Sequence, residues 1–518
     1  MCGVAPVNGA AQVFAMRTPK TLSLAFAFIA LLVPAAHARL FTVVTYNVEN
    51  LFDLDGVSAY EEYQAAKYPP AHALTKLQNI AKVIARFDDG RGPDVLLLCE
   101  LEVDATPGAT PPDYDAILAR YAGKKLADLL GPKPAPDVAD LPSEALLLKA
   151  LADAGMTGYR VVISENVTAA GSERAQQAIR CAVFTRFPVK AVRSLATLDA
   201  RPILEVLVDV DGAPLYLFAN HWKSGASDPA TEPTRAANAR TLRTRLDEIL
   251  RVDSNADIIL GGDFNSQYNH KRRYPAMKTT GLNDVLGSQG NELAVRSAAR
   301  PLYNLWFELP EPQRGSDTYR GEWGTLMHLI VSRGLYDYRG VQYVDNSFAV
   351  AKFSNLNADA MGLPVRWSGA GPTGSGYSDH FPVFAKFTTV PDGKAEKWLN
   401  LRAASADEHG PAAPVKIAYD KLDLAAVALD PAKLPAGAKL RDPANFGKIV
   451  RVEGVVAPGT RLAVEFLGES YDIYCPDPAL RKKLSEQFKA GERVRFYGEL
   501  GQYRERWQFV VQDAAWVK

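Results

Sequence analysis

Five short polar segments, each adjoining an apolar run, constrain this chain most strongly. Four directly follow predicted strands and the fifth precedes one. The segments are Tyr46-Asn47-Val48-Glu49, Leu98-Cys99-Glu100-Leu101-Glu102, Asn220-His221-Trp222-Lys223-Ser224, Gly261-Gly262-Asp263-Phe264-Asn265 and Ser378-Asp379-His380-Phe381-Pro382. Short β-branched or leucine-rich runs bounded by polar residues are typical of buried strands. Each segment alone is a weak signal, but all five in order predict one polar site at the edge of a sheet.

The apolar pattern between these segments predicts an α/β fold. Apolar residues at helical spacing over 74–84 predict a helix that packs on a sheet, and Thr234–Leu250 is predicted to be a second amphipathic helix. Its arginines are predicted to form a solvated face, with polyanion contact as the alternative. The predicted strands are 41–46, 93–99, 182–185, 204–210, 215–219, 257–260, 325–331 and 382–387.

The length of 518 residues indicates more than one folded unit. We assign residues 39–388 to a catalytic domain, residues 389–440 to a linker rich in Ala, Pro, Lys and Asp, and residues 441–518 to a small β-barrel. The barrel is predicted from three strands, a helix over Pro478–Lys489 and two further strands, the order found in OB-folds. Such barrels bind oligonucleotides or sugars; a purely structural barrel is the alternative.

The N-terminal residues 1–38 have the pattern of a secretory signal peptide. A basic start at Arg17 and Lys20 precedes the apolar run Leu22–Val33, and Ala36-His37-Ala38 provides a small-x-small cleavage pattern. Met16 is an alternative start, which would leave 1–15 as an extension. The prediction is an exported protein, periplasmic or extracellular, without stable membrane association once the signal is removed. An N-terminal membrane anchor is the alternative.

Composition excludes few functions. Lys plus Arg and Asp plus Glu both number 59, so net charge offers no global attraction to nucleic acid, although a local basic groove remains compatible with it. Three cysteines, Cys99, Cys181 and Cys475, remain after signal removal, and buried free thiols are favoured over a disulfide.

The chemistry of the five segments suits cleavage of phosphate esters. Such cleavage must offset charge on non-bridging oxygens and activate a water. Carboxylates such as Glu49, Glu100 and Asp379 supply the oxygen ligands that hard cations prefer. Asp263 can accept a proton from water, and histidines can donate hydrogen bonds to phosphate.

These segments resemble the endonuclease/exonuclease/phosphatase superfamily over about residues 40–388. The resemblance implies a four-layer α/β sandwich of two mixed sheets flanked by helices. It also implies a divalent-metal-dependent phosphodiesterase, with Mg²⁺ or Mn²⁺ as cofactor and Ca²⁺ as an option. The implied catalytic residues are Asn47, His221, Asp263, Asn265 and His380; the implied metal ligands are Glu49, Glu100 and Asp379. Arg180 and Lys223 are further candidates for substrate contact.

One position departs from the family pattern. The strand before the last segment usually carries an Asp that hydrogen-bonds the catalytic histidine, but here Met327 stands in its place. Asp317 or Asp284 could supply the missing carboxylate. The leading hypothesis is a nuclease with DNA or RNA as substrate. A lipid-headgroup or small-molecule phosphoesterase and a weakened nucleic-acid-binding protein are the alternatives.

Overall fold

The computed structural model describes residues 38–173, 177–297, 302–390, 398–399, 408–434, 439–442, 445–503 and 506–518. The predicted signal peptide lies outside the described residues up to His37. Within the described part of the chain, none of the helices combines the length and apolar character needed to cross a membrane.

Strands and helices of the described residues are numbered here in chain order. The strands are β1 (Leu40–Leu51), β2 (Val95–Glu102), β3 (Arg160–Ile163), β4 (Ile179–Thr185), β5 (Val189–Leu195), β6 (Ile203–Val210), β7 (Ala213–His221), β8 (Asp257–Asp263), β9 (Leu302–Asn304), β10 (Asp317–Tyr319), β11 (Glu322–Gly324), β12 (Met327–Ser332), β13 (Val341–Tyr343), β14 (Ala349–Val350), β15 (Val383–Thr389), β16 (Ile449–Val456), β17 (Ala463–Phe466), β18 (Glu469–Tyr474), β19 (Arg493–Tyr503) and β20 (Arg506–Val510). The helices are α1 (Pro70–Ile84), α2 (Tyr114–Arg120), α3 (Leu126–Leu129), α4 (Pro136–Ala139), α5 (Ser143–Asp153), α6 (Glu232–Val252), α7 (His270–Arg273), α8 (Glu292–Arg296), α9 (Leu424–Val427) and α10 (Pro478–Gln487).

Two mixed sheets form the larger part of the fold. The first has the strand order β13-β15-β1-β2-β4-β3, with β14 paired to β15, and the second has the order β5-β6-β7-β8-β12-β9. Each contains one parallel pair, β1 with β2 and β7 with β8. Parallel neighbours need a crossover, and helices α1 and α6 lie in the two crossovers where helical periodicity predicted them. Helical periodicity in the sequence therefore indicated both crossover helices.

Side chains of the central strands alternate between the two faces of each sheet, and this alternation packs the sheets in layers. In β2, Leu97 lies in the core between the two sheets, whereas Leu96 and Leu98 pack on the side of α1 and α5. Successive side chains of a strand point to opposite faces, so a fully apolar strand requires cover on both sides. The same alternation in β8 places Ile259 between the sheets and Ile258 against α6. This helix–sheet–sheet–helix order confirms the predicted four-layer α/β sandwich.

The C-terminal strands close into a barrel of order β16-β17-β18-β20-β19, with α10 between β18 and β19. This is the predicted OB-like barrel. Its core includes Val452, Phe496 and Phe509, all almost fully buried.

Described parts of the predicted linker make specific contacts. The Trp323 N–H donates to the Val415 carbonyl (2.8 Å), and the Leu429 N–H donates to the Ile449 carbonyl (2.7 Å). The first contact ties the segment to strand β11, and the second ties it to the barrel.

Candidate active site

The ends of four central strands bring four predicted site residues together. Strands β1 and β2 run parallel, so Asn47 and Glu100 emerge at the same edge of the first sheet. Strands β7 and β8 are also parallel, and His221 lies beside Asp263 in register. The two edges face each other across the core, which explains how residues far apart in sequence form one site.

Asn47 connects the two sheets through hydrogen bonds. Its side-chain N–H group donates to Glu100 Oε1 (2.8 Å) and to Asp263 Oδ2 (3.2 Å), while its own Oδ1 accepts from the Glu49 N–H (2.9 Å). Asp263 Oδ1 accepts from the Asn265 N–H (2.8 Å), and the Asn265 side chain donates to the Trp222 carbonyl (3.1 Å). The carboxylate of Asp263 is thereby held in one orientation.

Strained backbone marks the same edge. Glu49, Glu100 and Asn265 have φ values of 50°, 67° and 46°. Non-glycine residues in the left-handed region cost about 1–3 kcal/mol each and cluster at functional sites. Gly262 adopts φ 132°, and a Cβ there would lie 2.0 Å from the Asn220 carbonyl oxygen. This end of β8 therefore requires glycine directly before Asp263.

The last segment closes the site from the first sheet. The Ser378 hydroxyl donates to the Asn47 carbonyl (2.7 Å) and accepts from the His380 N–H (3.1 Å). His380 Nε2 then lies 3.7 Å from Asp263 Oδ2 and 3.6 Å from Asp379 Oδ1. Burial opposes the charged imidazolium, but Asp379, Asp263, Asp317 and Glu100 outweigh it and raise the pKa of His380 to about 9.

Arg201 is a site residue that sequence reasoning missed. It lines the cleft, and its guanidinium donates to Nε2 of His221. Burial and the Arg201 charge hold the pKa of His221 well below its usual range, so this histidine is neutral. Arg201 stands just before β6, whose antiparallel pairing with β7 brings Leu204 opposite Ala219. Only that pairing, and no local motif, could have indicated its place.

The carboxylates at this edge suit a hard cation. Ligand atoms of Glu100, His221 and Asp263 lie within 4.8 Å of one another. Glu49 and Asp379 lie next to this group and share the Arg366 guanidinium, at 3.2 Å and 3.4 Å. Burial raises the pKa of Glu100, Glu49 and Asp263, and the Asp379 charge adds to the effect on the first two. The oxygen-rich donor set fits Mg²⁺ or Mn²⁺. Of the three predicted ligands, Glu100 belongs to the close group, and Glu49 and Asp379 lie beside it.

The two predicted substrate contacts have different outcomes. Lys223 lines the cleft. Arg180 does not, because its side chain is buried against α5, where it pairs with Glu144 at 3.1 Å. The interpretation of Arg180 as a phosphate contact is thereby corrected: a partner carboxylate already neutralises its charge.

The structure shows where Met327 lies and which of the two candidate acids is near His380. Met327 is fully buried, directly opposite Asp263 in the sheet, and so brings no carboxylate to His380. Of the two proposed substitutes, Asp284 pairs with Lys271 (2.9 Å) outside the cleft. Asp317 lines the cleft, and its backbone forms a β-bridge with that of His380. Of the two, Asp317 is therefore the one whose charge acts on His380.

The state of the three cysteines agrees with the prediction from the sequence. Cys99, Cys181 and Cys475 are all buried and free, as favoured. The Cys99 thiol donates to the Asn220 carbonyl (3.2 Å), which places it beneath the site as a packing group.

Comparisons with known proteins give one family model and several solved structures that are similar to this chain. Residues 177–389 match the sequence model of the Endonuclease/Exonuclease/phosphatase family. Among solved structures, truncated TDP2 from Caenorhabditis elegans is 14% identical, with 67% of this chain and 97% of that chain covered and a TM-score of 0.34. A family protein from Bacteroides thetaiotaomicron is 14% identical, with 71% and 99% covered and a TM-score of 0.38. D. rerio TDP2 complexed with single-strand DNA product is 13% identical, with 68% and 99% covered and a TM-score of 0.35. No curated protein matches significantly. The match over residues 177–389 supports the predicted resemblance to the endonuclease/exonuclease/phosphatase superfamily.

Proposed function

We propose that this protein is an exported, divalent-metal-dependent phosphodiesterase that acts as a nuclease. The observation that carries the proposal is Asp263, which Asn47 and Asn265 hold in place beside His380 and Glu100. Export is inferred from the pattern of residues 1–38. Fractionation of cells that express the full chain tests it: a protein retained in the cytoplasm would contradict export.

Asp263 is the proposed general base. Burial raises the pKa of its carboxyl, which makes the carboxylate a stronger base than an exposed aspartate. A water beside it would transfer a proton to Asp263 as the water oxygen attacks phosphorus, and the bond from phosphorus to the leaving oxygen would break. Asn47 keeps the carboxylate aimed at that water.

His380 and Arg201 are the proposed ligands of the phosphate. Both line the cleft beside Asp263, and His380 is charged at neutral pH because its pKa is raised to about 9. Charged donors directed at developing negative charge stabilise the transition state. Since Arg201 occupies Nε2 of the neutral His221, we assign His221 to positioning Arg201 rather than to direct phosphate contact.

Glu100, Glu49 and Asp379 are the proposed holders of the metal. A divalent cation there would offset charge on the phosphate oxygens and favour ionisation of water. Arg366, which already lies between Glu49 and Asp379, is a further cation at this position.

Nucleic acid is the proposed substrate because the cleft is large and carries cations beside the proposed site. Its volume is about 1010 Å³, and Arg201, Lys223 and Arg320 line it. Arg273 and Arg366 also line it but are paired with Glu322 and with Glu49 and Asp379, and seven carboxylates in all belong to the lining. A lipid headgroup is the second candidate, favoured by one observation: Tyr319 at the rim is 58% exposed. Arginine beside it favours a polyanion over an acyl chain.

The test is hydrolysis by the chain from Arg39 onward. Single-stranded DNA, duplex DNA, RNA and sphingomyelin would each be incubated with Mg²⁺, with Mn²⁺ and with chelator. Glu100→Gln and Asp263→Asn should each lower nucleic-acid turnover by at least about 100-fold. Glu102→Gln is the matched control, since Glu102 lies two residues further along β2 and accepts from the Asp53 N–H (2.9 Å). Turnover of sphingomyelin alone would contradict the nuclease proposal, and turnover that chelator does not affect would contradict metal dependence.

A further inference from the structure

The catalytic cleft continues into a second cleft beside the barrel. The second cleft has a volume of about 1400 Å³, and the two share Thr318, Tyr319, Arg320 and Arg366. Pockets for small ligands have volumes of about 300–1,000 Å³. Two joined clefts of this size therefore suit an extended ligand that passes from one to the other.

A short hairpin, β10–β11, stands where the clefts join. Its tip carries Tyr319, which is 58% exposed, and Arg320, whose guanidinium lies 5.0 Å from the centre of the Tyr319 ring. Arg320 has φ 51°, and the next residue, Gly321, has φ 79°. The Ile417 N–H donates to the Gly321 carbonyl (2.9 Å) and so anchors the tip. An aromatic ring and a cation are thus presented together on a fixed support.

The barrel supplies the far wall of the second cleft. Tyr474, at the end of β18, is 41% exposed and lines this cleft with Lys448. The acids Asp359, Asp430 and Glu499 also line it, together with Lys433. Burial raises the pKa of the Asp359 and Glu499 carboxyls, and that of Glu499 reaches about 7.

Tyr474 ends the outer face of β18, because it lies two residues beyond Asp472 on the same strand. The acid Asp472 on this face is paired with Arg506 at 3.0 Å. OB-folds commonly bind oligonucleotides across the two strands that correspond to β17 and β18. The wall at Tyr474 and Lys448 is the part of the barrel surface that lines the second cleft.

We propose that a single strand of nucleic acid, continuous with the scissile phosphate, passes over the Tyr319–Arg320 tip into the barrel-side cleft. Bases stack on Tyr319 and Tyr474, and phosphates pair with Arg320 and Lys448. Stacking on exposed aromatic rings binds every base with little sequence preference. This inference rests on the proposed function and specifies its substrate as a chain with a single-stranded arm.

The test measures binding as a function of strand length. Fluorescent oligothymidylates of two to twelve nucleotides would be titrated into the full chain carrying Asp263→Asn, with anisotropy as the readout. Tyr474→Ala and Tyr319→Ala should each weaken binding of the twelve-nucleotide strand by about tenfold and leave the dinucleotide unchanged. Tyr474→Phe, which keeps the ring, should bind like the parent.

The matched control is Tyr503→Ala. Tyr503 is 57% exposed and is not among the described residues that line either cleft. Equal loss with Tyr503→Ala, or no loss with the two other alanine variants, would overturn the strand path.

Hydrolysis of bis(p-nitrophenyl) phosphate separates the two proposals. Tyr474→Ala should leave kcat on this small diester unchanged while it raises KM for the long oligonucleotide. If the wild type cleaves no nucleic acid but Tyr474→Ala still weakens strand binding, the proposed function is wrong and the strand path stands. If the wild type cleaves oligonucleotides and both variants bind like the parent, the strand path is wrong and the function stands.

Discussion

Replacement of Asp317 by asparagine should slow hydrolysis and shift its alkaline limit to lower pH. Asp317 is one of four carboxylates that together raise the pKa of His380 from 6.5 to about 9. A shift of this size favours the imidazolium by about 3 kcal/mol. Removal of one of the four charges should therefore cost about 1 kcal/mol, which lowers the alkaline limit by about one pH unit.

The charge of Asp317 is separable from its structural contacts. Asp317 Oδ1 accepts from the Leu326 N–H (3.0 Å) and from the Ser316 hydroxyl (2.8 Å). An asparagine oxygen can accept both bonds, so Asp317→Asn should keep the hairpin in place. Because Asp317 acts on His380 through its charge, we expect the rate above about pH 9 to fall by up to about tenfold.

The assay is the rate of bis(p-nitrophenyl) phosphate hydrolysis from pH 5.5 to 10 with saturating Mg²⁺. Glu322→Gln is the control, because Glu322 lies on the same hairpin but pairs with Arg273 (2.9 Å) instead of facing His380. If Asp317→Asn has lower thermal stability but an unchanged kcat and alkaline limit, Asp317 only stabilises the hairpin β10–β11. The reasoning about His380 would then be refuted.

Met327→Asp provides an independent check of the role of Asp317. A carboxylate at this fully buried position should destabilise the fold by several kcal/mol, since it would lie opposite Asp263. In the wild type we expect no gain in rate, whereas in Asp317→Asn we expect partial recovery. A several-fold rise in kcat/KM for Met327→Asp alone would contradict Asp317 as the acting acid.

Three further predictions concern other parts of the chain. Arg201→Met should reduce kcat/KM at least about 100-fold with an unchanged circular dichroism spectrum, because a charged donor to phosphate is lost; near-wild-type rates would exclude Arg201 from the chemistry. Gly262→Ala should destabilise the fold and abolish turnover, since its Cβ would lie 2.0 Å from the Asn220 carbonyl oxygen; a stable, active variant would contradict the required φ. Burial raises the pKa of Glu499 to about 7, so the folded chain retains a proton that the unfolded chain releases above about 4.5. Stability should therefore fall as pH rises from about 4.5 to 7, and Glu499→Gln should reduce the difference in Tm between pH 5 and pH 8; an unchanged difference would contradict the shift.

The central strands and crossover helices were predictable because both faces of each sheet are covered. Burial on both faces gives continuous apolar runs such as Leu96–Leu98, and a crossover helix gives apolar residues every three or four positions. Edge strands have no such signal: β5 is exposed along most of its length and was not predicted. The hairpin β10–β11 was missed for the same reason, since its three-residue strands are too short for a period.

The candidate site was predictable where residues directly follow central strands. Asn47, Glu100, His221 and Asp263 lie at such ends, and strand direction brings them together. Arg201 and Arg366 lie in connecting segments, whose course depends on the whole fold. Arg180 shows the opposite failure, because its position in a strand near the site did not reveal that Glu144 on α5 already pairs with it.

The hairpin β10–β11 brings an acid near His380 even though Met327 replaces the usual aspartate. With a thioether opposite Asp263, the core beneath the site stays apolar, and the acid beside His380 comes instead from Asp317 at the start of β10. Gly324 faces Asp317 across the hairpin, and a Cβ there would lie 1.9 Å from Asp317 Oδ2, so glycine makes room for the carboxylate. Tyr319 is two residues further along the same strand. Asp317 and Tyr319 are held by the same three-residue strand, so the acid near His380 and the exposed tip share one support. A change that displaces the tip should therefore also alter the charge on His380, whereas an acid on central strand β12 would have kept the two independent.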